Sequence, residues 1–230
     1  MTNELLLILS LLLIYSALLL FYYLFGKDGL YAWTVIATIA ANIEVLILVD
    51  AFGMEMTLGN ILFASTFLVT DIISEIYGKK DANRAVNLGI ATSFAFIIIS
   101  QSWLLYLPSA NDWASSSIHV IFKNTPRVML ASFLVYAICQ RFDVWLYHKW
   151  WAFTTQKTGN YKGYLWLRNN GSTLLSQLLN TVLYTFGAFA GLYDLPTLIE
   201  ICISSYVIFI ITSLADTPFV YAARKIRPRG

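Results

Sequence analysis

Phe67-Leu68-Val69-Thr70-Asp71-Ile72-Ile73-Ser74-Glu75-Ile76-Tyr77-Gly78 sets two carboxylates four residues apart in an otherwise apolar run. The run continues back through Ile61-Leu62-Phe63-Ala64, long enough to enter a bilayer as a helix. A spacing of four puts Asp71 and Glu75 on one helical face, one turn apart. An ionised side chain in hydrocarbon costs at least about 2.5–3.5 kcal/mol. The pair is therefore expected to face a polar cavity, which points to a substrate or ion path.

The rest of the chain agrees with a bilayer setting. Its 230 residues are 58% hydrophobic and 12% charged, against about 25% charged in soluble domains. The expected fold is an all-α integral membrane protein: one polytopic domain over residues 1–230, with no polar stretch long enough for a second. Seven stretches reach the length of a crossing: 4–25, 30–50, 60–77, 85–107, 126–148, 166–192 and 197–222. The third and sixth are the most polar. Residues 108–125 read as a loop with a short interfacial helix around Trp113–Phe122. The first stretch opens on Met-Thr-Asn-Glu and lacks a basic start and a small-residue cleavage site. It is expected to stay on as a transmembrane helix.

Charge sorts the connections. Lys27; Lys79, Lys80 and Arg84; Lys149, Lys157, Lys162 and Arg168; then Arg224, Lys225, Arg227 and Arg229 hold twelve of the fifteen basic residues and fall at alternate connections. The opposite connections carry only Lys123 and Arg127. The positive-inside rule then places the C-terminus in the cytoplasm and the N-terminus outside. Trp33, Trp103, Trp113, Trp145, Trp150, Trp151 and Trp166 mostly fall near segment ends, as interface anchors do.

Two further spans carry polar stripes. The fifth has Ser132, Tyr136, Gln140, Asp143 and Tyr147; the sixth has Asn170, Thr173, Gln177, Asn180 and Tyr184, all at helical steps. Such stripes are costly in lipid unless they face each other or water. Interhelical hydrogen bonding explains any one of these residues; two complete stripes beside Asp71 and Glu75 favour a lined cavity. Arg141 reads as a base reaching for the interface, whereas Asp143 is a cavity candidate. Asp216, two residues before Pro218, and Glu44 inside the second span are further candidates.

Other chemistries find little support. Cys139 and Cys202 lie in apolar segments without metal or disulfide spacing, and His119 and His148 lie at or beyond segment ends. No metal, cofactor or nucleic-acid partner is expected. H-E-x-x-H, G-x-S-x-G and P-loop patterns are absent, so the chain does not read as an enzyme.

Val69-Thr-Asp-Ile-Ile-Ser-Glu-Ile-Tyr-Gly-Lys-Lys80, followed by Ala82-Asn-Arg-Ala-Val86, resembles the hallmark segment of the queuosine precursor transporters, the vitamin-uptake-like transporter family. Three more stretches fit the same pattern: Arg127-Val-Met-Leu-Ala-Ser132 through Gln140-Arg-Phe-Asp143-Val-Trp145, Arg168 to Thr181, and Asp216-Thr-Pro-Phe219. Ala41-Asn42-Ile43 also suits it. The resemblance covers about residues 35–225. Family members usually have six spans, so 4–25 reads as an added helix on a 30–225 core, and the position of Asn180 is often Asp.

The resemblance implies import of a 7-deazaguanine (7-cyano-, 7-aminomethyl- or queuine) across a bacterial cytoplasmic (inner) membrane for tRNA modification. It gives the residues roles. Asp71 or Asp143 would accept from the base edge, and Glu75 would serve the tail or a proton. Asn170, Gln177 or Asn180 would donate to O6, Gln140 would line the site, and Phe67, Tyr136, Tyr184 or Trp145 would stack on the ring. Asn42, Glu44, Arg168, Asn169, Thr173 and Asp216 would form gates or polar supports. Twofold pairing of subunits suits so small a transporter. Two alternatives are a substrate-capture subunit of an energy-coupling-factor transporter and an intramembrane enzyme using Asp71 and Glu75.

Overall fold

The computed structural model describes residues 2–123 and 126–229, except for the side chain of Pro126. Helix α1 (Asn3–Glu44) leads into a hairpin of β1 (Leu48–Ala51) and β2 (Met54–Thr57). Then follow α2 (Gly59–Ile76), α3 (Lys79–Trp103), the short α4 (Ser115–Lys123), α5 (Pro126–Thr158), α6 (Leu165–Phe189) and α7 (Leu195–Ala223).

Helix α1 is two helical arms joined at Gly26, whose φ of 57° and ψ of −136° no helix accommodates. Glycine adopts that conformation without a Cβ penalty. The chain doubles back there: the rings of Phe21 and Trp33 are 5.5 Å apart, whereas a straight helix would separate residues twelve apart by about 18 Å. At the far end Asn3 Nδ2 donates to the carbonyl of Asp50, 2.9 Å away, beside the hairpin. The first two expected spans are thus antiparallel neighbours.

Helices α1, α2, α3, α5 and α7 are long and apolar enough to cross a membrane. Helix α6 has the length, but Asn169, Asn170, Gln177 and Asn180 lower its hydropathy. Helix α2 packs against α1, α3, α5 and α7 and is buried on nearly every face. Such a position explains how it carries Asp71 away from lipid. Among the other close pairs, α5 on α6 and α6 on α7 bring the polar stripes inward.

Several boundaries differ from the sequence reading. The second span ends at Glu44 instead of 50, and the chain turns into the hairpin, register Leu48 to Thr57. Helix α5 runs on to Thr158, past 148. Helix α7, in contrast, runs through Pro218 as the 197–222 stretch does. The interfacial helix is present as α4. Trp103, Trp113, Trp145 and Trp166 are exposed, but Trp33 and Trp151 are buried, donating to Ser65 Oγ at 3.1 Å and to the Tyr161 carbonyl at 3.0 Å. An indole with a nearby acceptor can satisfy its N–H inside the bundle.

The ends of the long helices fall into two groups. One contains the hairpin, α4 and the α6–α7 connection. The other contains the Gly26 turn, the α2–α3 and α5–α6 connections and the C-terminus, and carries most of the basic residues. These are the hairpin end and the basic end below.

Candidate functional site

A partly open pocket lies between α1, α2, α5, α6 and α7 in the half nearer the hairpin. Its empty volume, counting the part open to solvent, is about 770 Å³. Asn42, Asn60, Tyr136, Asn180 and Tyr184 line it, with Phe63 and Phe209 as further ring walls. Phe63 meets Tyr136 edge-on at 6.2 Å and tilts against Phe209 at 6.2 Å. Among the described residues no Asp, Glu, Lys or Arg is on this wall. Four buried polar atoms of the lining lack a hydrogen-bond partner among the described residues: Asn42 Oδ1, Asn60 Nδ2, Tyr136 Oη and Tyr184 Oη. Buried polar atoms are ordinarily paired, so a cluster of unpaired ones in a cavity is what a ligand site presents.

Below the pocket the polar residues close ranks. Gln140 of α5 donates to Thr66 Oγ1 at 2.7 Å and accepts from Thr70 Oγ1 at 3.3 Å, bridging α5 to α2. Thr173 of α6 donates to Asp71 Oδ2 at 2.9 Å. Asp143 is fully buried and comes within side-chain hydrogen-bonding reach of Asp71. Both oxygens of Asp143, Asp71 Oδ1, Ser74 Oγ, Ser176 Oγ and the Gln177 amide have no partner among the described residues. On the α7 side, Asn169 Nδ2 donates to Asp216 Oδ1 at 2.7 Å, and Asn170 Nδ2 donates to Thr217 Oγ1 at 2.7 Å.

A charged seal follows towards the basic end. Arg168 of α6 holds Glu75 of α2 from two nitrogens: Nη2 is 2.7 Å from Oε1, and Nε is 3.0 Å from Oε2. Tyr147 of α5 donates to Glu75 Oε2 at 2.7 Å, and Arg224 at the end of α7 stands 3.4 Å from Oε1. The side chains of Arg168 and Glu75 are 0% and 4% exposed, so this pair is out of water. The guanidinium also lies over the Trp151 ring, 4.2 Å from its centroid, a placement that favours a desolvated cation. Beyond the seal a vestibule lined by Lys79, His148, Thr155 and Tyr161 opens at the basic end.

The sequence-expected residues thus divide between three levels. Asn42, Tyr136, Asn180 and Tyr184 are at the pocket; Asp71, Gln140, Asp143, Thr173 and Gln177 are at its floor; Glu75 and Arg168 are in the seal. Asn169, Asn170 and Asp216 tie α6 to α7. Phe67 packs with Val135 and Cys139 and does not line the pocket. Glu44 is half-buried one turn from the hairpin. Arg141 is exposed, donating to Asn87 Oδ1 at 3.3 Å.

Sequence reasoning did not select Thr66, Thr70, Asn60, Phe63 or Trp151. Thr66 and Thr70 lie one turn apart on α2, and Thr70 precedes Asp71, so the polar face could have been extended backwards. Phe63, Asn60 and Trp151 carry no sequence signal that separates them from ordinary membrane residues.

The profile of a family described as putative vitamin uptake transporter matches residues 57–223. A Bacillus subtilis (strain 168) protein named probable queuosine precursor transporter is 39% identical over 210 residues, 91% of this chain and 90% of its own length. An Escherichia coli (strain K12) protein named queuosine precursor transporter is 27% identical over 152 residues, 65% of this chain and 62% of that protein. No solved structure matches the chain.

Proposed function

This chain belongs to the family described as putative vitamin uptake transporters, and on that premise we propose that it imports queuosine precursors of the 7-deazaguanine class. The membrane is the bacterial cytoplasmic one, crossed seven times when the two arms of α1 are counted separately: an added first arm on a core of 30–225. The basic end lies in the cytoplasm, because Lys and Arg are retained on that side.

The observation that carries the reading is the uncharged pocket with its unpaired polar atoms. The edge of a 7-deazaguanine offers N–H donors beside a carbonyl acceptor. Asn42 and Asn180 can each donate and accept, and Phe63, Tyr136, Tyr184 and Phe209 supply flat apolar faces for the ring. Edge recognition therefore moves from Asp71 or Asp143 to the two asparagines. Glu75 moves from the ligand's tail to the inner seal, because Arg168 and Tyr147 already occupy its oxygens.

The mechanism that suits this geometry is alternating access. The ligand enters at the hairpin end while Glu75–Arg168 keeps the basic end closed. Release requires α6 and α2 to part at that pair, which opens the floor to the vestibule. Uptake of 7-aminomethyl-7-deazaguanine and queuine, against guanine, by purified protein in liposomes tests the reading. Selective uptake of the deazapurines is expected, and it also excludes dependence on an ATPase partner. Uptake of neither by folded protein overturns the substrate class.

A further inference from the structure

Asp71 and Asp143 meet at the pocket floor with no cation among the described residues to balance them. Both are fully buried and within side-chain hydrogen-bonding reach of each other. Two ionised carboxylates are both acceptors and cannot bond to one another. The available donors do not resolve this. Thr173 serves one oxygen of Asp71, and Ser172 and Ser176 stand near Asp143 without a bond of good geometry.

Facing the pair, helix α1 contributes Tyr15, whose hydroxyl points to the Thr212 carbonyl at 3.5 Å. Helix α2 contributes Glu75, and α6 contributes Arg168, whose Nε and Nη2 serve Glu75 while Nη1 donates to the Gly163 carbonyl. Helix α5 adds Cys139 and Tyr147, the latter bonded to Glu75, while its Arg141 points outward to Asn87. Helix α7 adds Asp216, a third acid, held by Asn169. The charged side chains of α3 lie in its first two turns at the basic end. No described base reaches the pair.

We propose that Asp71 and Asp143 bind one proton between them and that this proton travels with the substrate. The pair is a coupling site, distinct from the ligand pocket above it and from the Glu75–Arg168 seal below it. The proposal rests on the transport reading given above. The proton enters from the hairpin-end side and forms a single O–H···O bridge between one oxygen of each residue. It leaves towards the basic end when the seal opens, so each cycle moves one proton and forms no covalent product. Thr66 lines the pocket and is bonded through Gln140 to Thr70, so one polar bridge between α2 and α5 spans pocket and floor.

The test uses the full chain in liposomes at clamped zero membrane potential, with 7-aminomethyl-7-deazaguanine as probe and a pH dye inside. Counterflow without any gradient first asks whether the probe is carried. With an inward proton gradient, accumulation should rise about tenfold per pH unit for one-to-one coupling, with matching acidification of the lumen. Counterflow combined with net uptake that ignores the proton gradient and leaves the lumen's pH unchanged, or accumulation driven by a sodium gradient instead, overturns the coupling site while leaving the substrate reading intact. Absence of counterflow counts against the substrate reading, and infrared spectroscopy then decides the proton site. The carbonyl stretch of a protonated buried carboxyl should be present in the wild type and lost in both Asp71→Asn and Asp143→Asn. Its persistence in both variants overturns the proposal.

Discussion

The pocket nearer the hairpin and the seal nearer the basic end are built on the same helices and settle their polar atoms in opposite ways. Around the pocket, Asn42, Asn60, Tyr136 and Tyr184 keep buried atoms unpaired and no charge is present, among the described residues. Around the seal, Glu75 receives two nitrogens of Arg168 and the hydroxyl of Tyr147, with Arg224 close by. A binding surface has to leave its hydrogen bonds for the ligand, whereas a closed gate has to complete its own. On the proposed function, the difference suits recognition at one end and closure at the other.

Removing Arg168 should produce the largest effect. Arg168→Ala leaves Glu75 buried with only Tyr147 and a more distant Arg224, and stranding one member of a buried ion pair costs about 3–5 kcal/mol. Thermal unfolding in detergent should show that loss. The double variant Glu75→Gln with Arg168→Gln should lose much less, because no charge is left buried. Equal losses in the single and double variants would break the assignment of the seal to charge pairing.

The pocket should respond to overpacking. A Cβ on Gly89 of α3 would fall 1.9 Å from Tyr136 Oη and 2.6 Å from its Cζ. Gly89→Ala therefore has to push the Tyr136 ring, and strain of this kind costs about 1–3 kcal/mol. The ring borders the pocket, so the KM for uptake should rise as stability falls. Adding Tyr136→Phe, which removes the clashing oxygen, should recover part of both.

Asn180→Ala sharpens the contrast from the ligand side. Losing one edge contact of about 1.4 kcal/mol weakens binding tenfold. Uptake should show that change in KM with little change in unfolding temperature, the reverse of the balance expected for Arg168→Ala. A fall in stability without a change in KM would make Asn180 a packing residue.

Helical period placed Asp71 with Glu75, and Tyr136, Gln140, Asp143 and Tyr147, on shared faces, and the structure turns these faces inward. Period does not say which partner waits opposite. Asp71 meets Thr173 and Asp143, while Glu75, one turn further on, meets Arg168, 93 residues away in sequence. One turn separates the proposed proton site from the proposed gate. That difference depends on how far α6 slides along α2, which no local pattern records. The hairpin was hidden for another reason: its two-residue turn, Phe52-Gly53, has both φ angles positive, and such turns usually announce themselves as Asn-Gly or Asp-Gly. With Phe in the first position nothing marks the turn, so 48–50 reads as the end of the second span and the rest as a plain connection.

The smallest effect should come from a second ion pair at the basic end, one that water reaches. In the first turn of α3, ahead of its apolar stretch, Asp81 Oδ1 lies 3.0 Å from Lys27 Nζ and accepts from Tyr31 Oη at 2.9 Å. Lys27 first, then Tyr31, holds this carboxyl below the usual carboxylate range. Its contribution to stability is full above the unfolded-state value of about 3.9 and is lost as pH falls through the lower folded value. Asp81→Asn should therefore lower the unfolding temperature slightly at neutral pH, less so in high salt, and match the wild type in strong acid. Glu75–Arg168 differs from this pair mainly in being dry. Should Asp81→Asn destabilise the protein as much as Arg168→Ala, burial would not be what gives the seal its strength, and the contrast between the two ends would have to rest on the pocket alone.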